Sequence, residues 1–566
     1  MSQYKIGIVA SEGIAIGKAY LFIKEDLEIS NLKIEDNQVD GEIDKFKKAV
    51  EEYSEELNNT EVSTETQQEV INAHIGMLDD PFLLETVEEK IKNKINAEKA
   101  LDDSIKEMVT MMQSLDDEYL RERATDYKDI GERLLYKLKG IKPKNLSDLP
   151  EDSIIVSKEL TPTDTSLMNK DRVLGFAMDL GGKTAHTSII AQTLGIPALV
   201  GMKDVSSSVK EGDFLILDCY EGKLYINPEE NIIKEYKEKV EEIKQEKIRL
   251  EAIKFKEAIT KDNHKVEIAC NIGNIEDLKL GLSQGAEGVG LFRTEFLYME
   301  NDHFPTEEEQ FEVYKEAAEM LDGKPLIIRT LDIGGDKSLS YFKFPEEENP
   351  FLGWRALRIC FDMPEIFETQ LKAILRASAF GKVRILLPMV ISVEEIKRVK
   401  EILTKVKEKL KNENIEFDEN IEVGIMVETP ASVIIADDLI KYVDYFSIGT
   451  NDLTQYILAV DRGNDKISNL YNTYNPAVLR SIKQVIEASH KVGKWTGMCG
   501  GFAGDTKATK LLLGMGLDEF SAPAANIPKM KDIIINISME DAKEFADNIL
   551  NIETTSEIEE VIKKAL

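Results

Sequence analysis

A chain of 566 residues is too long for one hydrophobic core and should divide into about three or four compact units. Its 42% hydrophobic and 31% charged residues, without biased tracts, exclude collagen-like, mucin-like and wholly disordered classes. The 71 Lys and Arg against 105 Asp and Glu leave a net charge of −34, which repels nucleic-acid backbones and anionic membrane surfaces but would attract a small basic protein.

Cys219, Cys270, Cys360 and Cys499 are far apart, with no C-x-x-C pair and no zinc spacing, which suits a reducing compartment; a cytoplasmic location is expected. The start, MSQYKIGIVASEG, lacks the basic flank and apolar stretch of a signal peptide. No apolar run approaches the ~18 residues of a membrane span, so no membrane insertion is expected.

In chain order, strands are predicted over 4–9 and 13–22. From Ile43 the period changes: Phe46, Val50, Tyr53 and Leu57 carry helical spacing, and the pattern returns at Leu101, Ile105, Met108 and Met112 and from Leu120 to Leu138. Strands resume at 153–157, 173–178, 198–200, 214–218 and 223–226. The expectation is a discontinuous small α/β domain (1–25 and 145–228) with an inserted α-helical domain (30–142). Residues 229–260, dense in Lys and Glu without Gly or Pro, predict a long exposed helix acting as a linker.

Eight short apolar runs follow, at 266–269, 288–292, 326–328, 383–387, 423–427, 445–448, 494–497 and 519–521, separated by helical stretches. Continuous apolar strands imply burial on both faces, so 261–566 is expected to be a closed (β/α)8 TIM barrel. In that fold the chemistry sits where strands end, and there the sequence gathers Arg293, Arg329, Glu428, Asn451, Asp452 and Cys499.

Arg293 and Arg329 fall at adjacent strand ends, and converging guanidinium forks match phosphate or carboxylate; the plain alternative is ion pairing with Glu295, Asp332 or Asp336. Glu428 and Asp452 end consecutive strands and supply the few hard oxygens that suit Mg²⁺ beside a phosphate; salt bridging to the arginines is their alternative role. Cys499, if not merely buried filler, is a thiol able to hand a proton to a carbanion. Arg355 and Arg462 lie beyond strand ends and are candidate anion clamps.

Outside the barrel, Gly181-Gly182 turns into a helix whose first turn carries His186 among hydroxyls. Unpaired N–H groups and the helix dipole there would stabilise a phosphorylated imidazole; a packed or capping histidine is the plain alternative. The segment is no nucleotide loop, because the first glycine that motif needs would fall at Ala177. Arginines for anions, Mg²⁺ to spread charge and a thiol where an enolate becomes a ketone all fit phosphoenolpyruvate, with His186 as acceptor.

Nearly the whole chain resembles enzyme I of the bacterial phosphoenolpyruvate-dependent sugar phosphotransferase system. The resemblance rests on GIAIGKA, GGKTAHTSI, GLFRTEFL, RTLDIGGDK, FLGWRALRI, GIMVETPA, GTNDLTQYILAVDRGND, and GMCG with LLLGMGLDEFS. It implies that His186 takes the phosphoryl group from phosphoenolpyruvate and passes it to a histidine of the carrier protein HPr, which docks on the helical insert. It further implies substrate binding by Arg293, Arg329, Arg462 and Asn451, Mg²⁺ held by Glu428 and Asp452, proton donation by Cys499, and a homodimer through the barrel domain. The sequence departs from the family pattern at Lys183, Ala185, Gly501-Phe502 and Glu12. Competing readings are a phosphoenolpyruvate synthase or dikinase, a non-catalytic phosphoenolpyruvate-sensing phosphocarrier, and a barrel lyase or aldolase unrelated to His186.

Overall fold

The computed structural model describes residues 4–565, except 24–26, 28, 59–64, 115–117, 142–143, 145, 147–148, 150–152, 162–163, 166–167, 169, 183–185, 336, 338 and 465. The chain divides into two compact units, 1–244 and 245–566.

The first unit contains an eight-stranded sheet: β1 (Tyr4–Ile6), β2 (Ile8–Ser11), β3 (Ile14–Phe22), β4 (Ser153–Ser157), β5 (Val173–Met178), β6 (Ala198–Val200), β7 (Phe214–Asp218) and β8 (Lys223–Ile226), in the order β1-β8-β7-β3-β4-β5-β6-β2. Strands β3 to β6 run parallel and the remaining pairs are antiparallel. β4 is buried along its length because its faces serve two cores: Ile155 packs with Phe176 and Val200, while Ile154 and Val156 pack with Leu215 and Leu217. β1 and β2 occupy opposite edges although only Gly7 separates them, so segment 4–11 links the two edges of the sheet. Gly7 donates its N–H to Gly222 O at 3.0 Å, and a Cβ at Gly7 would lie 2.8 Å from Met202 Cγ.

Between β3 and β4 stand the helices Val39–Asn58, Glu65–Leu78, Pro81–Lys92, Ala97–Gln113 and Glu118–Lys139, around their own core of Phe46, Leu83, Val87, Leu101, Ile130 and Leu134. Their starts follow from capping chemistry: Asp80 accepts the Phe82 N–H with Pro81 in the first turn, and Asn96 accepts the Lys99 N–H. Arg133 of the last helix reaches the buried Asp164 at 2.7 Å.

The linker helix is Glu230–Ile253, shorter than the 229–260 its composition predicts. The chain breaks there because the carbonyls of Lys254 and Lys256 turn to accept the buried Lys531 ammonium at 3.0 and 2.9 Å.

The second unit is a closed barrel of eight parallel strands: β9 (Glu267–Ile272), β10 (Val289–Phe292), β11 (Pro325–Arg329), β12 (Lys382–Leu387), β13 (Glu422–Val427), β14 (Phe446–Ile448), β15 (Thr496–Met498) and β16 (Glu519–Ala522). Each apolar run read from the sequence supplies one strand, with ends that coincide or differ by at most three residues. Inward-facing Leu291, Ile327, Leu386, Met426 and Tyr445 fill the barrel, and Cys499 and Trp495 join that cluster. No helix among the described residues is long and apolar enough to cross a membrane.

Candidate functional site

At the C-terminal ends of the strands a cavity of about 590 Å³ opens, and every barrel residue singled out from the sequence lines it: Arg293, Arg329, Arg355, Glu428, Asn451, Asp452, Arg462 and Cys499. Arg293 follows β10 and Arg329 ends β11; Glu428 follows β13; Asn451 and Asp452 open the helix Thr450–Leu458 after β14; Cys499 follows β15. Parallel closure thus converts positions scattered over two hundred residues of sequence into one ring.

A charge lattice forms the floor. Buried Arg329 pairs with Glu295 and, at 3.0 Å, with Asp332. Arg355 reaches Asp332 at 2.9 Å and Asp452 at 3.2 Å, and Arg462 meets the other Asp452 oxygen at 3.2 Å. Lys337, which the sequence reading left unassigned, bridges Glu295 at 2.7 Å and the Asp332 carbonyl at 2.9 Å. Burial alone would raise the Asp332 pKa, but Arg329, Arg355 and Lys337 hold it well below the usual carboxylate range. Burial likewise opposes ionisation of Glu295, and Arg329 and Lys337 reverse that.

The ion-pair alternative for the arginines therefore describes Arg329 in part, whereas Arg293, half-buried at the rim, has no ion pair among the described residues. Asp336, one of the partners weighed, lies outside the described residues. Asp452 does bridge arginines; Glu428 has no ion pair among the described residues.

Glu428 accepts the Met389 N–H at 2.7 Å, an N–H turned inward by the left-handed backbone of Met389 (φ 59°). Its other oxygen lies against Gly449, where a Cβ would approach it to 2.9 Å. Burial first, then Asp452 and Asp332, push Glu428 up to about 8. A buried carboxylate without a cationic partner, beside a second carboxylate, is a fit for a hard divalent cation. Among the described residues no group of three or more His, Cys, Asp or Glu is arranged to hold a metal, so such an ion would need water or substrate oxygens as well.

The Cys499 thiol lies at the cavity wall, accepting the Ser447 hydroxyl at 3.3 Å. Burial raises it to about 11, against smaller opposing effects of Ser447 and Arg329. Asn451 is braced by Gly501, whose N–H donates to Oδ1 at 2.9 Å, and by Tyr471, whose hydroxyl donates to its carbonyl at 3.1 Å. Tyr471, Glu295, Asp332 and Lys337 complete the polar side chains of the lining; Lys337 sits within the RTLDIGGDK stretch, which was the available signal.

His186 belongs to the first unit and begins the helix His186–Leu194 after the Gly181 turn (φ 101°). Behind it, Thr187 donates to Leu160 O at 3.1 Å and Ser188 to Gly182 O at 2.7 Å, fixing the helix start. Lys183, Ala185 and the His186 side chain lie outside the described residues.

Three family matches cover the chain in order: PEP-utilising enzyme, N-terminal (6–123); mobile domain (149–222); and PEP-binding domain (247–539). Curated relatives named phosphoenolpyruvate-protein phosphotransferase are similar end to end. The Haemophilus influenzae protein is 48% identical over 99% of this chain and 98% of its own length, and that of Buchnera aphidicola subsp. Baizongia pistaciae 50% over 98% of each. The Staphylococcus carnosus protein is 46% identical over 100% of this chain and 99% of its own. With a closed parallel barrel, a charged mouth and similarity along its full length, this chain belongs to the phosphoenolpyruvate-protein phosphotransferase family of PEP-utilising enzymes.

Proposed function

We propose that the barrel mouth binds phosphoenolpyruvate and that its phosphoryl group passes to a ring nitrogen of His186, then to a histidine of the small carrier protein HPr, releasing pyruvate. The observation that carries this reading is the convergence, in one cavity, of anion-binding guanidinium groups, an unmatched carboxylate and a protonated thiol. A site for binding alone has no use for the last of these.

Arg293 and Arg462, the least committed of the cavity's arginines, meet the phosphate and carboxylate, while Arg329, Arg355 and Lys337 hold the positive field behind them. Asn451 adds a neutral donor. Glu428 and Asp452 would hold Mg²⁺, whose chemistry is to spread charge over the phosphoryl oxygens. The bond between phosphorus and the enolate oxygen breaks as the P–N bond to His186 forms. The enolate carbon then takes the proton of Cys499 Sγ, giving the methyl group of pyruvate and a thiolate that solvent reprotonates.

The same reading has His186 visiting the barrel mouth to accept phosphate and the helical insert, with HPr docked there, to donate it, in a cytoplasmic homodimer joined through the barrel. The family similarity and the separate helical core support it. Incubation with Mg²⁺ and phosphoenolpyruvate should yield equal amounts of pyruvate and acid-labile phosphate on His186, both lost in His186→Ala. Phosphate on no histidine, or pyruvate release indifferent to His186, would overturn the proposal and favour a silent sensor or a lyase.

A further inference from the structure

At the opposite end of the barrel, where the strands begin, a second cavity of about 670 Å³ is lined by Phe255, Glu267, Glu287, Arg384, Trp495 and Glu519 among others. Glu267 and Glu519 open the neighbouring strands β9 and β16 and stand in register, so their side chains leave the sheet on one face at the same level. Glu519 is only 3% exposed, and neither of its carboxylate oxygens has a hydrogen-bond partner. Its room is made by Gly290 and Gly497: a Cβ at Gly290 would collide with one oxygen, and at Gly497 would stand 2.7 Å from the other.

The basic groups on this wall are mostly spent elsewhere: Lys531 on Glu287 at 3.0 Å, Lys265 on Glu257 and Arg384 on Glu422, while exposed Lys324 reaches the Ala286 carbonyl at 3.4 Å and has no ion pair among the described residues. Neither Glu267 nor Glu519 has an ion pair among the described residues. Two like charges in register repel unless a cation or a proton lies between them. Burial and the neighbouring Glu267 push Glu519 up to about 8, although the Arg384 guanidinium opposes the rise and also acts on Glu267.

We propose that the Glu267–Glu519 pair at the barrel floor binds the ammonium head of a small primary amine, whose remaining atoms occupy the adjoining cavity. An ammonium offers three donors to carboxylate oxygens that have none. A cavity of this volume suits a small organic molecule. Recognition falls on the carboxylates rather than on Trp495, whose ring is stacked on Tyr445 at 4.4 Å and covered by the Arg384 guanidinium at 4.7 Å. This inference does not depend on the reading of the barrel mouth.

The test titrates the full-length protein with ethylammonium chloride against sodium chloride at equal ionic strength, reading tryptophan emission in a Trp354→Phe background, where Trp495 is the sole tryptophan. A saturable ethylammonium response is expected, with the half-saturation concentration raised about tenfold or more in Glu519→Gln and in Glu267→Gln. Glu267 is half-buried at the cavity wall, so its variant serves if Glu519→Gln does not fold. A response no different from sodium chloride would overturn the proposal and leave a carboxylate pair sharing a proton. Saturation unaffected by either variant, or saturation by MgCl₂ but not by ethylammonium, would overturn it as well.

Discussion

Cys499 is set apart from the other cavity residues by what its environment does to its proton. The thiol is buried, and the hydroxyl of Ser447 and the charge of Arg329 only partly offset burial, so it stays protonated up to about 11 rather than 9.0. Because the proton-bearing form is the useful one, competence is retained below the raised value and lost only as pH rises through it. Pyruvate formation should therefore show no thiol-dependent alkaline fall near pH 9, and Cys499→Ala should lower it by roughly 10²–10⁴-fold. A wild-type fall near pH 9 that is absent from Cys499→Ala would show a solvent-open thiol instead. Asp332 obeys the opposite sign. Held low by Arg329, Arg355 and Lys337, it stabilises the fold above the ordinary carboxylate pKa, and that contribution is lost as pH falls through its depressed value. Asp332→Asn leaves two buried guanidinium groups short of charge and should destabilise the barrel by about 3–5 kcal/mol in urea unfolding. A change under about 1 kcal/mol would mean that the lattice relaxes around the loss.

Between residues and molecule stand the strand ends, and the turn after β15 shows how tightly they are set. Gly500 lies against the start of the helix Thr450–Leu458: a Cβ there would collide with Thr450 Oγ1 and approach the Thr450 backbone nitrogen to 2.5 Å. Gly500→Ala must therefore shift either Cys499 or the Asn451–Asp452 turn, and kcat/KM for pyruvate formation should fall by about tenfold or more while stability falls by about 1–3 kcal/mol. Unchanged kinetics would place the slack in the loop rather than the site. The same geometry explains what could be read in advance. Runs such as Val423–Val427 are apolar on both faces and announce themselves as buried parallel strands, so the barrel and the residues following each strand were legible. The ends were less so. Lys494 and Trp495 read as the start of a strand, but the Trp495 ring stacks on Tyr445 and β15 begins at Thr496. The linker was overread because its Lys–Glu composition continues past Ile253, and only the tertiary demand of Lys531 for two carbonyls ends the helix. Lys337 went unassigned because its partnership with Glu295 crosses 42 residues and exists only after the barrel closes.

On the scale of the whole chain, two compact units divide the parts that the proposed reaction needs. The linker helix Glu230–Ile253 is tied at each end within a different unit: Tyr236 and Lys239 donate to buried Asp218 at 2.8 and 3.0 Å, and Arg249 pairs with Asp532 at 2.8 Å. Each unit also has its own apolar core, so each should keep its local structure when the other is perturbed. Binding and phosphoryl acceptance should then separate cleanly by mutation. All eight barrel residues assigned to substrate, cation or proton donation line a cavity of the second unit, whereas His186 begins a helix of the first. In His186→Ala, calorimetric titration with phosphoenolpyruvate and Mg²⁺ should give a Kd within about threefold of the unaltered protein, with pyruvate formation lost. Arg293→Ala should do the reverse in order of cause, weakening phosphoenolpyruvate by about tenfold or more and reducing pyruvate formation at limiting substrate in consequence. If His186→Ala weakened substrate binding as severely as Arg293→Ala, the imidazole would be part of the binding site itself, and the division of labour between a substrate-holding barrel and a visiting phosphate acceptor would be wrong.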